Sequence, residues 1–186
     1  MTGRMMIAGV GNIFLGDDGF GVEVARRLAG AGLPDWVRVA DYGISGMHLA
    51  YDLADGFETT ILVDASPRGE PPGTVYVMEL TGPGQPDRSG PAAPGGPAPA
   101  LPVLDAHGMQ PDLVLGMLDL LGADAGRVLL VGCEPASIDA RIGLSPPVAA
   151  AVDEAVRIVH GLVRAAEAGP GTEAVAGGRT TSDEGG

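Results

Sequence analysis

Hydrophobic residues occur along the chain in short runs separated by polar turns, and this pattern predicts five β-strands. Each run is apolar or β-branched, as in a half-buried or fully buried strand. The predicted strands are Met5–Ala8, Asp35–Asp41, Thr59–Val63, Thr74–Met78 and Arg127–Cys133. Only a short loop separates the third strand from the fourth, which leaves no room for a crossover helix. The fourth strand is therefore expected at an edge of the sheet, antiparallel to its neighbour.

Between most of these strands, apolar residues recur every three or four positions, which predicts helices. Four helices are predicted. The first begins near Val22, the second spans Met47–Ala54, the third spans Pro111–Leu121, and a long fourth helix follows Ser145. Pro111 in a first turn, and Ser145 followed by two prolines, are typical of helix starts. The alternation of strands and helices predicts a three-layer α/β/α sandwich whose five-stranded sheet is mostly parallel.

Two segments lack this core pattern. Residues 81–102 contain seven prolines and five glycines, a composition that cannot bury enough apolar surface to offset the entropy lost on ordering. This stretch is predicted to be a flexible loop within one domain spanning residues 1–166, since the apolar pattern resumes after it. Residues 167–186 are rich in glycine, alanine, threonine and acidic residues, and they are predicted to form a disordered tail.

Composition narrows the class of protein further. The chain has 186 residues, of which 45% are hydrophobic, so one domain with a sizeable core is expected. Its formal net charge of −13 argues against binding to nucleic acid or to an acidic membrane. Cys133 is the single cysteine, so no internal disulfide forms, which fits a reducing cytoplasm. No apolar stretch is long enough for a signal peptide or a membrane span, and a cytoplasmic location is expected.

The glycine-rich turn after the first strand holds the most informative residues. Its spacing, G-x-G-x4-G, differs from the dinucleotide-binding pattern, and no Gly-Lys-Ser/Thr follows it. Asp17 and Asp18 stand where a bound phosphate would need backbone N–H donors. Two adjacent acids instead suit a metal cation, a basic peptide or catalysis. The alternative is that one of them simply caps the helix that follows.

Acidic residues and one histidine lie at the ends of other predicted elements. Asp41 ends the second strand, Asp64 ends the third, and His107 opens the helix before the fifth. The carboxyl ends of parallel strands meet at one edge, where Asp18, Asp64 and His107 would supply two carboxylates and an imidazole. Such ligands suit a divalent ion such as Ni²⁺, Zn²⁺ or Fe²⁺. Alternatively, Asp64 caps a turn and His107 lies at a helix N-terminus without binding a metal.

The remaining reactive side chains are expected to be structural. His48 lies in a short predicted helix, His160 lies late in the last helix, and Cys133 lies in a buried strand. No Gly-x-Ser-x-Gly motif is present, so the sequence does not indicate a serine nucleophile of that kind.

Five motifs follow one another along the chain. They are Gly9–Asn12 with Gly16–Gly21, Asp41–Met47, Asp64–Ala65, His107–Gly108, and Gly132–Pro135 with Ile142–Pro146. In these motifs, over roughly residues 5–164, the chain resembles the hydrogenase maturation endopeptidases. Members of that family remove the C-terminal extension from the large subunit of NiFe hydrogenases.

The resemblance implies a metal, a partner and a set of ligands. Family members bind nickel through an acid of the first motif, the aspartate of the third strand and the histidine, which correspond to Asp18, Asp64 and His107. The Ni²⁺ belongs to the substrate, a large-subunit precursor in which it has already been installed. The protease senses this metal before it cuts the chain, and it is expected to act as a monomer.

For the hydrolytic step, an aspartate could act as general base while the metal polarises the scissile carbonyl. Asp17 and Asp41 are the candidate catalytic acids. Each also has a structural interpretation, Asp17 as a helix cap and Asp41 as a support of the Gly43–Gly46 turn. The loop 81–102 and the tail are longer than expected for the family, but every motif residue is present.

Two other functions fit the same residues. A noncatalytic nickel-checkpoint or chaperone protein on this fold would keep all three ligands, but it would not process a loaded precursor. A small-molecule α/β metalloenzyme would purify with tightly bound, stoichiometric metal, whereas a sensing protease should purify largely metal-free.

Overall fold

A computed structural model describes residues 3–81 and 126–168. The strands in these ranges are β1 (Met5–Val10), β2 (Val37–Gly43), β3 (Thr59–Ala65), β4 (Val75–Thr81) and β5 (Arg127–Cys133). The helices there are α1 (Phe20–Ala29), α2 (Gly46–Ala54) and α3 (Pro146–Ala168), and a 3₁₀ turn at Gly16–Gly19 precedes α1. The bounds of β5 are those predicted. All of the other four strands continue past their predicted ends, because pairing with a neighbouring strand continues there. β2 begins at Val37 and not at the predicted Asp35, because the N–H of Val37 closes a turn on the carbonyl oxygen of Pro34.

Several predictions lie outside the described residues. They concern most of the loop 81–102, the helix Pro111–Leu121, the ligand His107, and the tail from residue 169 onwards. Within the part of the chain that the structure describes, no helix combines the length and the apolar character needed to cross a membrane.

The sheet has the strand order β2-β1-β3-β5-β4. The strands β2, β1, β3 and β5 run parallel, and β4 lies antiparallel to β5 at the edge. This arrangement confirms the predicted sheet with one antiparallel edge strand. Asp64 lies within β3, opposite Gly132 of β5, so it belongs to the strand itself and not to a turn after it.

The hydrophobic core lies on both faces of the sheet. Alternate residues of a strand point to opposite sides, so Met5 and Ile7 pack on one face while Met6 and Ala8 pack on the other. The apolar stripes of α1 and α3 cover the first face. α2 covers the second face. The described helices therefore lie on both sides of the sheet, as in the predicted three-layer sandwich.

Two glycines allow α1 to lie unusually close to the sheet. A Cβ at Gly21 would lie 2.0 Å from the carbonyl oxygen of Val63 and 2.4 Å from that of Val10. A Cβ at Gly9 would lie 2.3 Å from the carbonyl oxygen of Gly21. Because only glycine fits these spaces, the start of α1 packs directly on β1 and β3. The 3₁₀ turn just before α1 is thereby placed at the carboxyl ends of these two strands.

Candidate active site

The order of the strands creates a crevice at the carboxyl ends of β1 and β3. The chain leaves β1 through α1 to reach β2 on one side, and it then passes through α2 to β3 on the other side of β1. Ligands bind at such switch points in open α/β sheets. Asp18, in the turn after β1, and Asp64, near the end of β3, both lie at this crevice.

Asp18 is held in place by the glycine-rich turn. It is buried, and the backbone N–H of Asn12 donates a 2.7 Å hydrogen bond to its Oδ2. Gly11 has a φ of +126°, and a Cβ there would lie 1.8 Å from the carbonyl oxygen of Asp18. The turn therefore needs glycine at position 11 to bring Asn12 and Asp18 together.

Asp18 and Asp64 form a buried acidic pair. Only 7% of Asp64 is exposed. Burial is the main cause that raises the pKa of Asp64 well above its usual range, and the negative charge of Asp18 raises it further. The backbone N–H of Ala65 opposes this shift by donating a hydrogen bond to the carboxylate. Two like charges in such a poorly solvated space favour the uptake of a proton or a cation.

The adjacent residue, Asp17, has a different environment. It is fully buried, and its Oδ1 accepts a 2.5 Å hydrogen bond from the backbone N–H of Ser145. Its Oδ2 accepts bonds from the Ser145 hydroxyl at 2.8 Å and from the N–H groups of Ala136 at 2.8 Å and Ser137 at 3.1 Å. Burial raises the pKa of Asp17, but these four hydrogen bonds outweigh burial and lower the pKa overall. Asp17 therefore stays ionised and joins the turn before α1 to the loop between β5 and α3.

These contacts answer two open questions about helix caps. The cap position of α1 is Gly19, and no side chain caps that helix, so the alternative of Asp17 or Asp18 as its N-cap is wrong. The prediction that Ser145 starts α3 is supported by its carbonyl oxygen, which accepts the N–H of Ala149 at 2.8 Å. The hydroxyl of Ser145, however, donates to Asp17.

Asp41 lies at the rim of the crevice, near the end of β2. Its Oδ1 accepts a 3.0 Å hydrogen bond from the N–H of Gly43, and its Oδ2 lies 3.5 Å from the Arg26 guanidinium. The carbonyl oxygen of Gly43 in turn accepts the N–H of Gly11 at 2.9 Å. Asp41 thus supports the turn after β2, in line with its structural interpretation. Because it is also exposed to solvent, its catalytic role stays a prediction.

Glu134 is a further buried acid, to which the sequence pattern assigns no separate role. Its Oε2 accepts a 2.6 Å hydrogen bond from the N–H of Arg68, and its Oε1 accepts a 3.3 Å bond from that of Gly69. It therefore fixes the loop that follows β3 and Asp64. The signal in the sequence is a glutamate placed directly after a fully apolar strand, within the motif Gly132–Pro135.

Cys133 is not a candidate nucleophile. It is buried at the end of β5. Burial, together with the negative charges of Asp17 and Glu134, raises the pKa of its thiol to about 12. The thiol therefore stays protonated at neutral pH and belongs to the core, as its place in an apolar strand predicts.

Two of the three predicted metal ligands lie within the described residues. Within the described parts of the chain, no three His, Cys, Asp or Glu side chains are grouped so as to hold a metal ion. Asp18 and Asp64 bring two carboxylates to one place. The third predicted ligand, His107, lies outside the described residues, so its position stays a prediction. His48 and His160 lie on α2 and α3 and belong to no such group.

Comparison with known proteins identifies the family. No protein-family model matches the chain. The hydrogenase 2 maturation protease of Escherichia coli K12 is 30% identical over 162 residues, which cover 87% of this chain and 91% of that protein. HupD, a hydrogenase expression/formation protein of Rhodobacter capsulatus, is 33% identical over 155 residues, which cover 82% of this chain and 68% of that protein. This chain belongs to the hydrogenase maturation protease family.

Solved structures agree with this assignment. The hydrogenase maturating endopeptidase HybD from Escherichia coli is matched over 89% of this maturation protease and 94% of its own chain, with a TM-score of 0.64 and 29% identity. The hydrogenase 2 maturation peptidase of a Thaumarchaeota archaeon is matched over 86% and 97%, with a TM-score of 0.61 and 28% identity. The predicted fold and the predicted class of enzyme, a peptidase of hydrogenase maturation, are therefore confirmed.

Proposed function

We propose that this maturation protease removes the C-terminal extension of a NiFe hydrogenase large-subunit precursor once nickel has been inserted into that precursor. Membership of the family supports the class of reaction. We assign the dependence of cleavage on nickel to the Asp18–Asp64 pair, because burial and like charge favour the binding of a cation there. A monomer acting in the cytoplasm is part of the proposal, and the single cysteine fits that reducing compartment.

In this proposal the nickel is part of the substrate. Asp18 and Asp64 offer oxygen ligands to free coordination positions of an ion that the precursor already holds, and His107 offers an imidazole. Oxygen and imidazole ligands both suit Ni²⁺. A dication would offset both the burial and the charge of Asp18 that raise the pKa of Asp64. The loaded precursor therefore gains binding energy that the empty precursor does not.

The hydrolytic step requires a base. Water adds to the carbonyl carbon of the scissile bond, and the base that accepts its proton returns a proton to the leaving nitrogen. Of the two candidates we assign this role to Asp41, because its carboxylate is exposed to solvent. Asp17 accepts four hydrogen bonds that lower its pKa, which makes it a weak base, and we assign it to holding the turn that carries Asp18.

A processing assay tests the proposal. The full-length protease is mixed with its cognate precursor in nickel-loaded and nickel-free form, and the released C-terminal fragment is followed by mass spectrometry. The test variants are Asp18→Asn, Asp64→Asn and His107→Ala. The control variants make the same chemical changes on α3, at Asp153→Asn and His160→Ala. We expect cleavage of the loaded precursor alone, lost in the three test variants and kept in both controls.

Three results would contradict this proposal in different ways. If wild-type protein leaves a verified loaded precursor intact, it is not its protease, and a noncatalytic nickel checkpoint becomes the better explanation. If the nickel-free precursor is cut as fast as the loaded one, the acidic pair does not sense nickel. If the purified protein carries tightly bound, stoichiometric metal without the precursor, the metal is a resident cofactor.

A further inference from the structure

The exposed hydrophobic side chains of this protease are concentrated at one end of the sheet. Eight large hydrophobic side chains are exposed among the described residues. Seven of the eight lie in segments that follow the carboxyl ends of β1, β2 or β5, and the eighth, Val77, lies on the edge strand β4. Single exposed apolar residues are ordinary, but a concentration of them marks an interaction surface.

The first group, here termed the β5-side rim, consists of Phe14, Ile138 and Ile142. These residues are exposed by 60%, 46% and 78%. They lie on two loops that are joined at Arg141, whose N–H donates to the carbonyl oxygen of Phe14 at 2.9 Å and whose carbonyl oxygen accepts the N–H of Gly16 at 2.7 Å. One connected piece of backbone therefore presents all three side chains.

The second group, here termed the β2-side rim, consists of Ile44, Met47 and Tyr51. These residues are exposed by 66%, 52% and 58%. Met47 and Tyr51 are separated by one helical turn on α2 and therefore lie on the same face of that helix. Ile44 lies in the turn before α2, which is tied to the end of β1 by the hydrogen bond from Gly11 to Gly43.

The two rims flank the Asp18–Asp64 pair. The strands whose ends carry the pair, β1 and β3, lie between β2 on one side and β5 on the other. The β2-side rim follows β2. In the β5-side rim, Ile138 and Ile142 follow β5, whereas Phe14 follows β1 and is joined to their loop at Arg141. A protein segment that reaches the acidic pair across the carboxyl ends of the four parallel strands would pass beside these rims.

We propose that the two rims bind apolar side chains of the hydrogenase precursor on either side of the cleaved bond, with the precursor crossing the end of the sheet from β2 to β5. This inference rests on the proposed function, since it takes the acidic pair as the place where the substrate docks. The rims bind the precursor whether or not it holds nickel, whereas the acidic pair adds affinity for the loaded form alone. Recognition of the chain and recognition of its metal are then carried by different residues.

Charge argues against a second copy of this protease as the occupant of the rims. The chain carries a net charge of −13, and the rims surround a buried pair of carboxylates. Two copies that met at this end would bring like charges together, which disfavours association. A precursor that carries a metal cation brings the opposite charge to the same place.

Two double variants and one control test the inference. Phe14→Ser with Ile142→Ser removes most of the β5-side rim, and Ile44→Ser with Met47→Ser removes most of the β2-side rim. Val77→Ser is the matched control, because Val77 is 45% exposed on β4 and belongs to neither rim. All five positions are at the surface, so each variant is expected to fold, which circular dichroism verifies.

Equilibrium binding to nickel-free and nickel-loaded precursor is measured by biolayer interferometry, together with KM and kcat for cleavage. Each double variant is expected to raise both dissociation constants by about tenfold or more. KM should rise in proportion while kcat stays within about twofold, as for interactions made equally in the ground state and the transition state. Val77→Ser should change none of these values. Asp64→Asn should instead remove the difference between the loaded and nickel-free forms.

Unchanged dissociation constants in both double variants would overturn the inference. The inference would also be overturned if sedimentation analysis showed that the wild-type protein is a dimer and that the same substitutions make it dissociate. Wild-type protein that binds the loaded precursor without cleaving it would overturn the proposed function but would support the inference that the rims bind the precursor. Wild-type protein that binds neither form of the precursor would overturn both.

Discussion

Two adjacent acids of this protease, Asp17 and Asp18, belong to two regions with opposite electrostatics. Asp17 accepts four hydrogen bonds from the loop between β5 and the start of α3, and these bonds lower its pKa. Asp18 lies near Asp64, where burial and like charge raise the pKa of Asp64. The first region, here termed the Asp17 anchor, keeps a carboxylate charged by surrounding it with donors. The second region consists of Asp18 and Asp64, where two carboxylates lie close together and the pKa of Asp64 is raised.

The contrast shows how one short turn serves both stability and function. A buried carboxylate that receives N–H and O–H donors stabilises a fold, because the donors replace the water it has lost. Among the described residues, the donor that lowers the pKa of Asp64 is the backbone N–H of Ala65, and it does not outweigh burial. An ionised carboxylate in such a place costs stability, and groups of this kind occur at functional sites. Because Asp17 and Asp18 are adjacent in the chain, the anchor also sets the position of the acidic pair.

Removal of the anchor should have the largest effect. Asp17→Ala leaves three N–H donors without their acceptor, so we expect the free energy of unfolding at pH 7 to fall by about 3–5 kcal/mol. Asp17→Asn keeps the shape and one acceptor oxygen, and it should lose less. Urea unfolding followed by circular dichroism measures both. The control is Asp153→Asn, which loses only an exposed ion pair with Arg27 and should change the free energy of unfolding by less than about 1 kcal/mol. A loss below about 1 kcal/mol for Asp17→Ala would show that the anchor is not a stabilising feature.

Neutralisation of the acidic pair should have a smaller effect of opposite sign. Asp64→Asn removes the repulsion from Asp18 and the cost of burying a charge, so we expect the protein to be more stable by about 1 kcal/mol. The same variant should lose nickel-dependent cleavage. Urea unfolding and the processing assay, performed on one preparation, measure the two properties together. If the variant is instead clearly less stable than wild type, the pair contributes to the fold and the contrast with Asp17 disappears.

The smallest of the expected effects is a difference between the two regions in how the free energy of unfolding depends on pH. The pKa of Asp17 is lowered by folding, so its stabilising contribution is present above the unfolded value of 3.8 and is lost as the pH falls through the folded value. The pKa of Asp64 is raised by folding, so its cost appears above the unfolded value, grows as the pH rises towards the folded value, and is constant above it.

Between about pH 5 and pH 8, the loss caused by Asp17→Ala should therefore stay constant while the gain from Asp64→Asn increases. Urea unfolding at intervals across this range, with wild type and Asp153→Asn in parallel, measures both differences. A gain from Asp64→Asn that does not change with pH would mean that the carboxylate titrates alike in the folded and unfolded chain.

Most of the fold could be predicted from local patterns. The bounds of β5 follow from an uninterrupted apolar run, and the antiparallel edge position of β4 follows from the short loop before it. These features depend on residues close together in the chain, so hydrophobic periodicity and loop length are sufficient to find them. The candidate ligands Asp18 and Asp64 could also be found in the sequence, because Asp18 lies in the glycine-rich turn after the first predicted strand and Asp64 directly follows the third.

The sequence by itself determined the elements, the family resemblance and the types of side chain available to the site. Only the tertiary structure decided that Asp17 is an anchor, that burial raises the pKa of Asp64, and that β1 lies beside β3. The donors of Asp17 lie up to 128 residues away in the chain, and the strand order that brings β1 beside β3 is a property of the whole sheet. Burial, hydrogen bonding and the charge of neighbours set the state of a carboxylate. All three arise from contacts between distant segments, which no local pattern records.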